Sequence, residues 1–298
     1  MSSLVSDLPH PDRAVFAEVN RTRLRVWEWG DPEAPVVLAA HGAYDHGRMF
    51  DELAPAVAAL GHHVRCVDVR GHGDSGPLHT GLTWEASLLD LAMLAADAGE
   101  PVGLLGHSMG AGMLMGMAAV WPERAKWIVS LDGLGPPASQ FADTTFAEAA
   151  ANGWSGLVKA LGRDRRVFPD LESMRAQRSA VNTRVPARWI EHLVDQGSFA
   201  VDDGFSWKWD PIFNTFMPDG FKPSWVTDDY EQIECPVLAL MGGADDMWVF
   251  PADEVDARAS HIADIRVRTI PDAGHYVHLE APDVVLDHIR GFLGEVDR

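Results

Sequence analysis

The chain has 298 residues, 47% of them hydrophobic and 23% charged, which allows one large domain or a domain with an inserted subdomain. Its formal net charge of −20 argues against a nucleic-acid partner and against an anionic membrane surface. The first residues lack the basic and apolar regions of a signal peptide, and no apolar run reaches the roughly 18 residues of a membrane span. Cys66 and Cys235 lie in apolar stretches without a C-x-x-C spacing, so we expect a cytoplasmic protein in a reducing compartment.

Short apolar runs alternate with helical periodicity over the first part of the chain. Two alternating segments come first, followed by continuous apolar runs that are typical of strands buried on both faces. This order predicts an α/β fold with a mostly parallel sheet. The predicted strands are 16–20, 23–29, 35–40, 63–69, 101–106 and 125–132, and the predicted helices are 49–61, 83–99 and 109–122.

The alternation stops at about residue 136 and resumes after residue 230. The intervening segment holds helical fragments, prolines and five of the eleven tryptophans. We therefore predict a core of residues 1–135 and 231–298, interrupted by a mainly helical cap at 136–230. The resumed pattern predicts strands at 236–243 and 265–270 and helices at 253–262 and 281–293.

Chemically reactive side chains follow several of the predicted strands. In an open parallel sheet, ligands bind at the carboxyl ends of the strands. Ser108 follows the strand at 101–106, two neighbouring aspartates follow the strand at 236–243, and His275 follows the strand at 265–270. Serine, aspartate and histidine thus come in that order along the chain, each at a different strand end.

Four motifs resemble those of the α/β-hydrolase superfamily over nearly the whole chain. "GHSMG" around Ser108 resembles its nucleophile elbow, with a strand before and a helix after it. "HG" at 41–42 is similar to its oxyanion loop, "DVRGHGDS" at 68–75 to a further loop, and "GHYVHLEAP" at 274–282 to its histidine loop. The resemblance implies a central, mostly parallel eight-stranded sheet flanked by helices. The subgroup it resembles is the serine-hydrolase-like carboxylesterases with a helical cap.

The resemblance implies a catalytic triad of Ser108, His275 and an aspartate. Serine needs a base to act as a nucleophile, and the acid orients that base. Asp245 is favoured as the acid, because the family commonly places it three residues after the glycine that ends the strand. Asp246 is the alternative if the strand ends one residue later, and Asp132 is a third candidate, since some members take their acid from that strand.

The resemblance also assigns an oxyanion hole and suggests a pocket. The backbone N–H groups of Ala43 and Met109 are the expected donors to the oxyanion. A cap above Ser108 must present apolar surface to a substrate, so we expect Trp207, Trp209 and Phe213 to line the pocket. No metal-binding motif and no phosphate-binding glycine motif is found, and neither a metal nor an organic cofactor is expected.

The predicted activity is hydrolysis of a carboxylic ester of a small or medium apolar molecule, through an acyl-enzyme on Ser108. Hydrolysis of a carbon–carbon bond, a lactone or a thioester, and acyl transfer, use the same triad and stay open. A small-ligand receptor of the same fold is a further alternative, which the presence of all three triad residue types disfavours. The expected partner is a small apolar ester-like molecule, with no nucleic acid and no membrane.

Overall fold

The computed structural model describes residues 8–79, 82–135, 145–215, 229–246, 248 and 252–297. Eight strands form one sheet in the order β1-β2-β4-β3-β5-β6-β9-β10. The pairs β1–β2 and β2–β4 are antiparallel, and every other pair in this sheet is parallel. The strands are β1 (Arg13–Val19), β2 (Thr22–Trp29), β3 (Val36–Ala40), β4 (His63–Val67), β5 (Val102–His107), β6 (Ala125–Leu131), β9 (Val237–Gly242) and β10 (Ile265–Ile270).

Helices cover both faces of the sheet, as the continuous apolar runs predict. One buried cluster joins alternate strand residues such as Leu38 and Leu104 to helices α2, α3 and α7. The other cluster joins Val37 and Leu240 to α1, α8 and α9. The helices are α1 (Leu53–Ala58), α2 (Trp84–Asp97), α3 (Met109–Val120), α4 (Phe146–Leu161), α5 (Leu171–Val181), α6 (Ala187–Gly197), α7 (Ala252–Ala259), α8 (Val277–Glu280) and α9 (Pro282–Val296).

The chain leaves the sheet after β6 and returns to the neighbouring position at β9. These two strands pair in parallel, with Ile128 opposite Val237, so the residues between them form an insertion at this point of the sheet. Residues 145–215 of this insertion contain α4, α5 and α6. They also contain a hairpin of β7 (Ser198–Val201) and β8 (Gly204–Trp207), which the sequence interpretation did not anticipate.

The insertion has a small apolar core of its own. Phe168, Met174, Val194 and Trp207 are buried together, and Trp209 packs against them. A turn of only two residues joins β7 to β8. Gly204, the first residue of β8, has a φ of 143°, and a Cβ there would lie 2.0 Å from the carbonyl oxygen of Phe168. Glycine is therefore required where this hairpin meets the chain at Phe168.

No helix in the described ranges is long and apolar enough to cross a membrane.

Candidate active site

Ser108 lies on a sharp turn between β5 and α3. Its φ of 52° is in the left-handed region, which a residue with a side chain adopts only when its surroundings impose it. The flanking glycines make the turn possible. A Cβ on Gly106 would lie 2.3 Å from Ala111 Cα, and one on Gly110 would lie 2.3 Å from the carbonyl oxygen of Ala40. The turn predicted for "GHSMG" is therefore present, and its glycines are needed for close packing of strand against helix.

His275 lies in the loop between β10 and α8, residues 271–276, which we call the histidine loop. Its Nδ1 is 2.6 Å from Oδ2 of Asp132. Because a carboxylate can only accept, Nδ1 is the donor in this bond, and Nε2 is the ring nitrogen left to act as a base. The backbone of the loop is held as well, since His107 Nε2 donates to the carbonyl oxygen of His275 at 3.0 Å.

Asp132 follows directly on β6 and is 2% exposed. The amide of Gly242, at the end of the neighbouring β9, donates to its Oδ1 at 2.8 Å. Burial raises the pKa of the Asp132 carboxyl, and the hydrogen bond with His275 opposes this shift. The carboxylate is therefore fixed by two partners, one on each oxygen, and is largely shielded from water.

The structure does not place Asp245, the favoured acid, against His275. Asp245 is exposed in the loop after β9. Its neighbour Asp246 bonds to the backbone of the histidine loop and not to the ring, since its Oδ2 accepts from the amide of His275 at 3.3 Å while its Oδ1 accepts from the amide of Trp248 at 3.2 Å. The family spacing favoured Asp245, but the carboxylate within hydrogen-bond distance of the ring belongs to the residue after β6. The carboxylate that meets the ring is Asp132, the third candidate.

The loop from His41 to Gly47, here called the oxyanion loop, lies beside Ser108. A Cβ on Gly42 would be 3.2 Å from Ser108 Cβ. Val69 N donates to His41 Nε2 at 2.9 Å, so the ring carries its proton on Nδ1 and donates to the Gly42 carbonyl at 2.7 Å. Burial lowers the pKa of His41 to about 4, which keeps the ring neutral.

The orientation of the Gly42–Ala43 peptide follows from these contacts. The Gly42 carbonyl is held by His41 and by the amide of Asp45 at 3.3 Å. In a planar trans peptide the N–H points opposite to the carbonyl, so the N–H of Ala43 faces away from the buried histidine. Met109 is the first residue of α3, where amides have no helical acceptor. The two predicted oxyanion donors thus lie on either side of Ser108, Ala43 in the oxyanion loop and Met109 at the start of α3.

Tyr44 connects the oxyanion loop to two of the predicted pocket residues. Its ring centroid is 5.5 Å from that of Trp209 and 5.2 Å from that of Phe213, both edge-on. Trp207, the third predicted pocket residue, instead packs in the small core of the insertion, 6.3 Å from the ring of Phe168. Sequence reasoning missed Tyr44, although its place next to the oxyanion donor Ala43 was a usable signal.

His278, three residues after His275, is a packing residue. It is 1% exposed on α8, with its ring stacked on Phe50 at 5.5 Å between centroids and 4.8 Å from the ring of His107. Within the part of the chain that the structure describes, no group of three or more histidine, cysteine, aspartate or glutamate residues could hold a metal ion.

Comparison with known proteins defines the class. The profile of the alpha/beta hydrolase family matches residues 36–288, and the chain belongs to this family. It is 28% identical to the mouse (Mus musculus) sn-1-specific diacylglycerol lipase ABHD11, over 89% of this chain and 82% of that protein. It is 25% identical to the 2-(acetamidomethylene)succinate hydrolase of Mesorhizobium japonicum, over 93% of each chain.

Solved structures confirm the fold. The thioesterase domain from the curacin biosynthetic pathway superimposes with a TM-score of 0.80 at 21% identity, covering 93% of this chain and 98% of that one. The predicted fold, a mostly parallel eight-stranded sheet flanked by helices, is confirmed. The relatives are hydrolases, and this protein is a hydrolase of the same family.

Proposed function

We propose that the protein is a serine hydrolase that cleaves carboxylic esters of small or medium apolar molecules through an acyl-enzyme on Ser108. The observation that carries the proposal is the 2.6 Å contact between Asp132 and His275 Nδ1, in a site where Ser108 occupies a strained strand-to-helix turn. A buried carboxylate behind a histidine, on the side away from the serine, is the arrangement that serine hydrolases use on several folds.

In the first half of the reaction, Ser108 Oγ attacks the ester carbonyl carbon while His275 Nε2 takes the hydroxyl proton. The carbonyl oxygen becomes negative and is stabilised by the N–H groups of Ala43 and Met109. The carbon–oxygen bond to the alcohol then breaks, and the imidazolium returns its proton to the leaving oxygen. Asp132 holds the ring in the Nδ1–H tautomer and stabilises the positive charge.

In the second half, water replaces the alcohol. His275 takes a proton from the water as its oxygen attacks the acyl carbon, and the same oxyanion donors stabilise the second tetrahedral intermediate. Collapse breaks the bond to Ser108, whose oxygen regains the proton from His275. Among the described residues no hydrogen bond joins Ser108 to His275, and such bonds often tighten only when substrate is bound.

The rings beside the oxyanion loop support an apolar substrate. Tyr44, which follows Ala43 in the chain, packs edge to face against both Trp209 and Phe213, so an acyl or alcohol group near the oxyanion donors would meet aromatic surface. We assign the insertion, proposed at residues 136–230, the role of a cap that contributes two of these rings. The name of the mouse relative, a diacylglycerol lipase, supports the same class of bond.

The test is turnover of p-nitrophenyl esters from acetyl to palmitoyl by the wild type and by Ser108→Ala. We expect serine-dependent hydrolysis with an optimum at one chain length, and a loss of about 10⁴-fold or more in kcat/KM for the variant. Equal thermal unfolding of the two proteins is the control for folding. A Ser108→Ala protein that keeps ester hydrolysis would contradict the proposal.

A matched panel separates the related chemistries. A thioester, a lactone and a diketone that carry the preferred acyl group should each be hydrolysed at a lower kcat/KM than the ester. If the wild-type enzyme hydrolysed no ester but turned over one of these compounds, the assigned triad would stand and the proposed substrate class would be wrong.

A further inference from the structure

A cluster of three polar side chains joins the insertion to the oxyanion loop and to the histidine loop, which together we call the catalytic loops. Arg178 on α5 of the insertion donates from Nη2 to Asp45 Oδ1 in the oxyanion loop and, at 2.9 Å, to the hydroxyl oxygen of Tyr276. The Tyr276 hydroxyl in turn donates to Asp45 Oδ2 at 3.0 Å. Each of the three side chains contacts the other two, and we call this cluster the Arg178 network.

The side chains of the network are buried, so water does not compete for their hydrogen bonds. The side chains of Arg178 and Asp45 are 10% and 1% exposed, and Tyr276 is 5% exposed. Burial raises the pKa of the Tyr276 phenol, so its hydroxyl keeps the proton that it donates to Asp45. Charged hydrogen bonds in a poorly solvated position are short and directional, which makes them suited to fixing one loop against another.

Two members of the network are close in sequence to the proposed catalytic residues but take no part in the reaction themselves. Asp45 comes two residues after Ala43, whose N–H is the proposed oxyanion donor. Tyr276 follows His275, the proposed base. We propose that Arg178 is a positioning residue for catalysis, which sets the oxyanion loop against the histidine loop through Asp45 and Tyr276. This inference rests on the proposed function.

A second arginine of the insertion shows what is specific about Arg178. Arg184 donates from Nε to Glu280 at 2.9 Å and from Nη2 to the Asp272 carbonyl at 2.6 Å. These bonds connect it to the histidine loop and to α8, and not to the oxyanion loop. Arg178 is bound to both catalytic loops at once. Its loss therefore leaves the bond of Tyr276 to Asp45 as the single link of this network between the two loops, and leaves the charge of Asp45 buried without its cation.

The experiment compares Arg178→Gln and Arg178→Lys with the wild type and with Arg175→Gln. Arg175 is a matched control, since it lies one turn earlier on α5 and forms ion pairs with Asp195 and Glu172, away from both catalytic loops. The readouts are kcat and KM on the preferred ester, and the rate at which a fluorophosphonate labels Ser108. Labelling measures serine reactivity without requiring the right substrate.

A positioning role has a defined kinetic signature. Because misplacement of a reacting group by about 1 Å can cost about 100-fold, Arg178→Gln should lower kcat and the labelling rate by about 10- to 100-fold, with KM changed less than about 3-fold. Arg178→Lys should recover part of both rates, since an ammonium can pair with Asp45 but lacks the planar fork. Arg175→Gln should match the wild type in both.

Tyr276→Phe keeps the test decisive if Arg178→Gln does not fold. This variant removes one hydroxyl and leaves the ion pair of Arg178 with Asp45, so it should fold and lose about 3- to 10-fold in labelling rate. Folded variants that label at the wild-type rate would overturn the inference, as would a raised KM with an unchanged kcat, which is the signature of a substrate contact. A wild type that resists the fluorophosphonate would overturn the proposed function, and this inference with it.

Discussion

The carboxylate of Asp132 is almost completely buried. Burial is the largest influence on its pKa and raises it, so the ionised form is less stable in the folded protein than in the unfolded chain. The backbone is also unusual here, with a φ of 48°, in the left-handed region. Both features reduce stability, and both are expected at a residue that is retained for its chemistry.

Asp132→Asn should separate activity from stability. Asn can still accept from the Gly242 amide through Oδ1, but its NH₂ group would face Nδ1 of His275 and favour the wrong tautomer. We expect kcat to fall by about 10⁴-fold while the melting temperature stays equal or rises. Ester kinetics and thermal unfolding at pH 8 measure the two effects.

Asp245→Asn is the matched control for this variant, because Asp245 is exposed on the neighbouring loop. It should retain activity within about 2-fold of the wild type. If Asp245→Asn were the crippling change and Asp132→Asn the mild one, the acid role assigned to Asp132 would be wrong.

At the level of elements, helix α3 shows why the turn at Ser108 depends on small residues. The helix packs closely against β5 and β3. There is no room for a Cβ at Gly106 of β5 or at Gly110 of α3. Met113 and Met117 are buried on this helix at 0% and 1% exposure. Close contact of strand and helix, rather than turn preference alone, is therefore what selects glycine at Gly106 and Gly110.

The same substitution should have opposite effects on two helices. Gly110→Ala places a Cβ 2.3 Å from the backbone oxygen of Ala40, so α3 must shift, and stability should fall by about 1–3 kcal/mol or more. Gly291→Ala in α9 meets nothing within 4 Å and should raise stability by about 0.5–1 kcal/mol, because alanine favours helix. Urea unfolding of both proteins measures the difference, and a destabilised Gly291→Ala would contradict it.

The elements and the turn at Ser108 could be predicted because local signals agree with the fold. Apolar runs mark strands buried on both faces, and glycine spacing marks the turn. The partner of His275 could not be chosen this way, since Asp132 and Asp245 each follow a strand and only the distance between side chains separates them. The packing of Trp207 in the insertion could not be predicted for a similar reason. Its aromatic character suits both a pocket and a small core, and the β7–β8 hairpin that decides between them has no glycine in its two-residue turn.

At the scale of the whole molecule, buried neutral histidines dominate the response to acid. Five described histidines, each at most 3% exposed, have a pKa lowered chiefly by burial. Burial lowers the pKa to about 4 for His41 and to about 3 for His72 and His278. These five are His41, His46, His72, His107 and His278.

These shifts predict a protein that is sensitive to acid. The unfolded chain binds protons at these histidines below about pH 6.5, whereas the folded protein does not until the pH falls much further. Their contribution is thus complete above about pH 6.5 and is lost as the pH falls, by about 1.4 kcal/mol per pH unit for each fully differing proton. Asp68, whose pKa burial raises to about 6, acts in the opposite direction between about pH 4 and 6. Burial raises the pKa of Asp132 as well, so two carboxyls act against the five histidines. Urea unfolding from pH 8 to 5 should therefore show a steep loss of stability, and a flat profile would contradict it.

His278→Leu tests one member of the set. Neither ring nitrogen of His278 has a hydrogen-bond partner among the described residues, so leucine removes a titrating group without breaking such a bond. The slope of unfolding free energy against pH below 6 should fall by about 1.4 kcal/mol per unit, with stability at pH 8 equal or higher. Phe50→Leu, which changes the ring that stacks on His278, should lower stability at every pH and leave the slope unchanged.

The position of Asp132 also has a consequence for exchanging insertions between members of the family. Asp132 lies on the N-terminal side of the junction, only a few residues before the insertion begins, whereas His275 lies far beyond its end. A chimaera joined at or before residue 131 would discard the partner of the histidine ring, while one joined after residue 135 would keep it. A donor insertion must also bring an arginine that reaches Asp45 and Tyr276. Grafts chosen by these two criteria should transfer substrate preference with turnover intact, and grafts that ignore them should yield folded proteins with little activity.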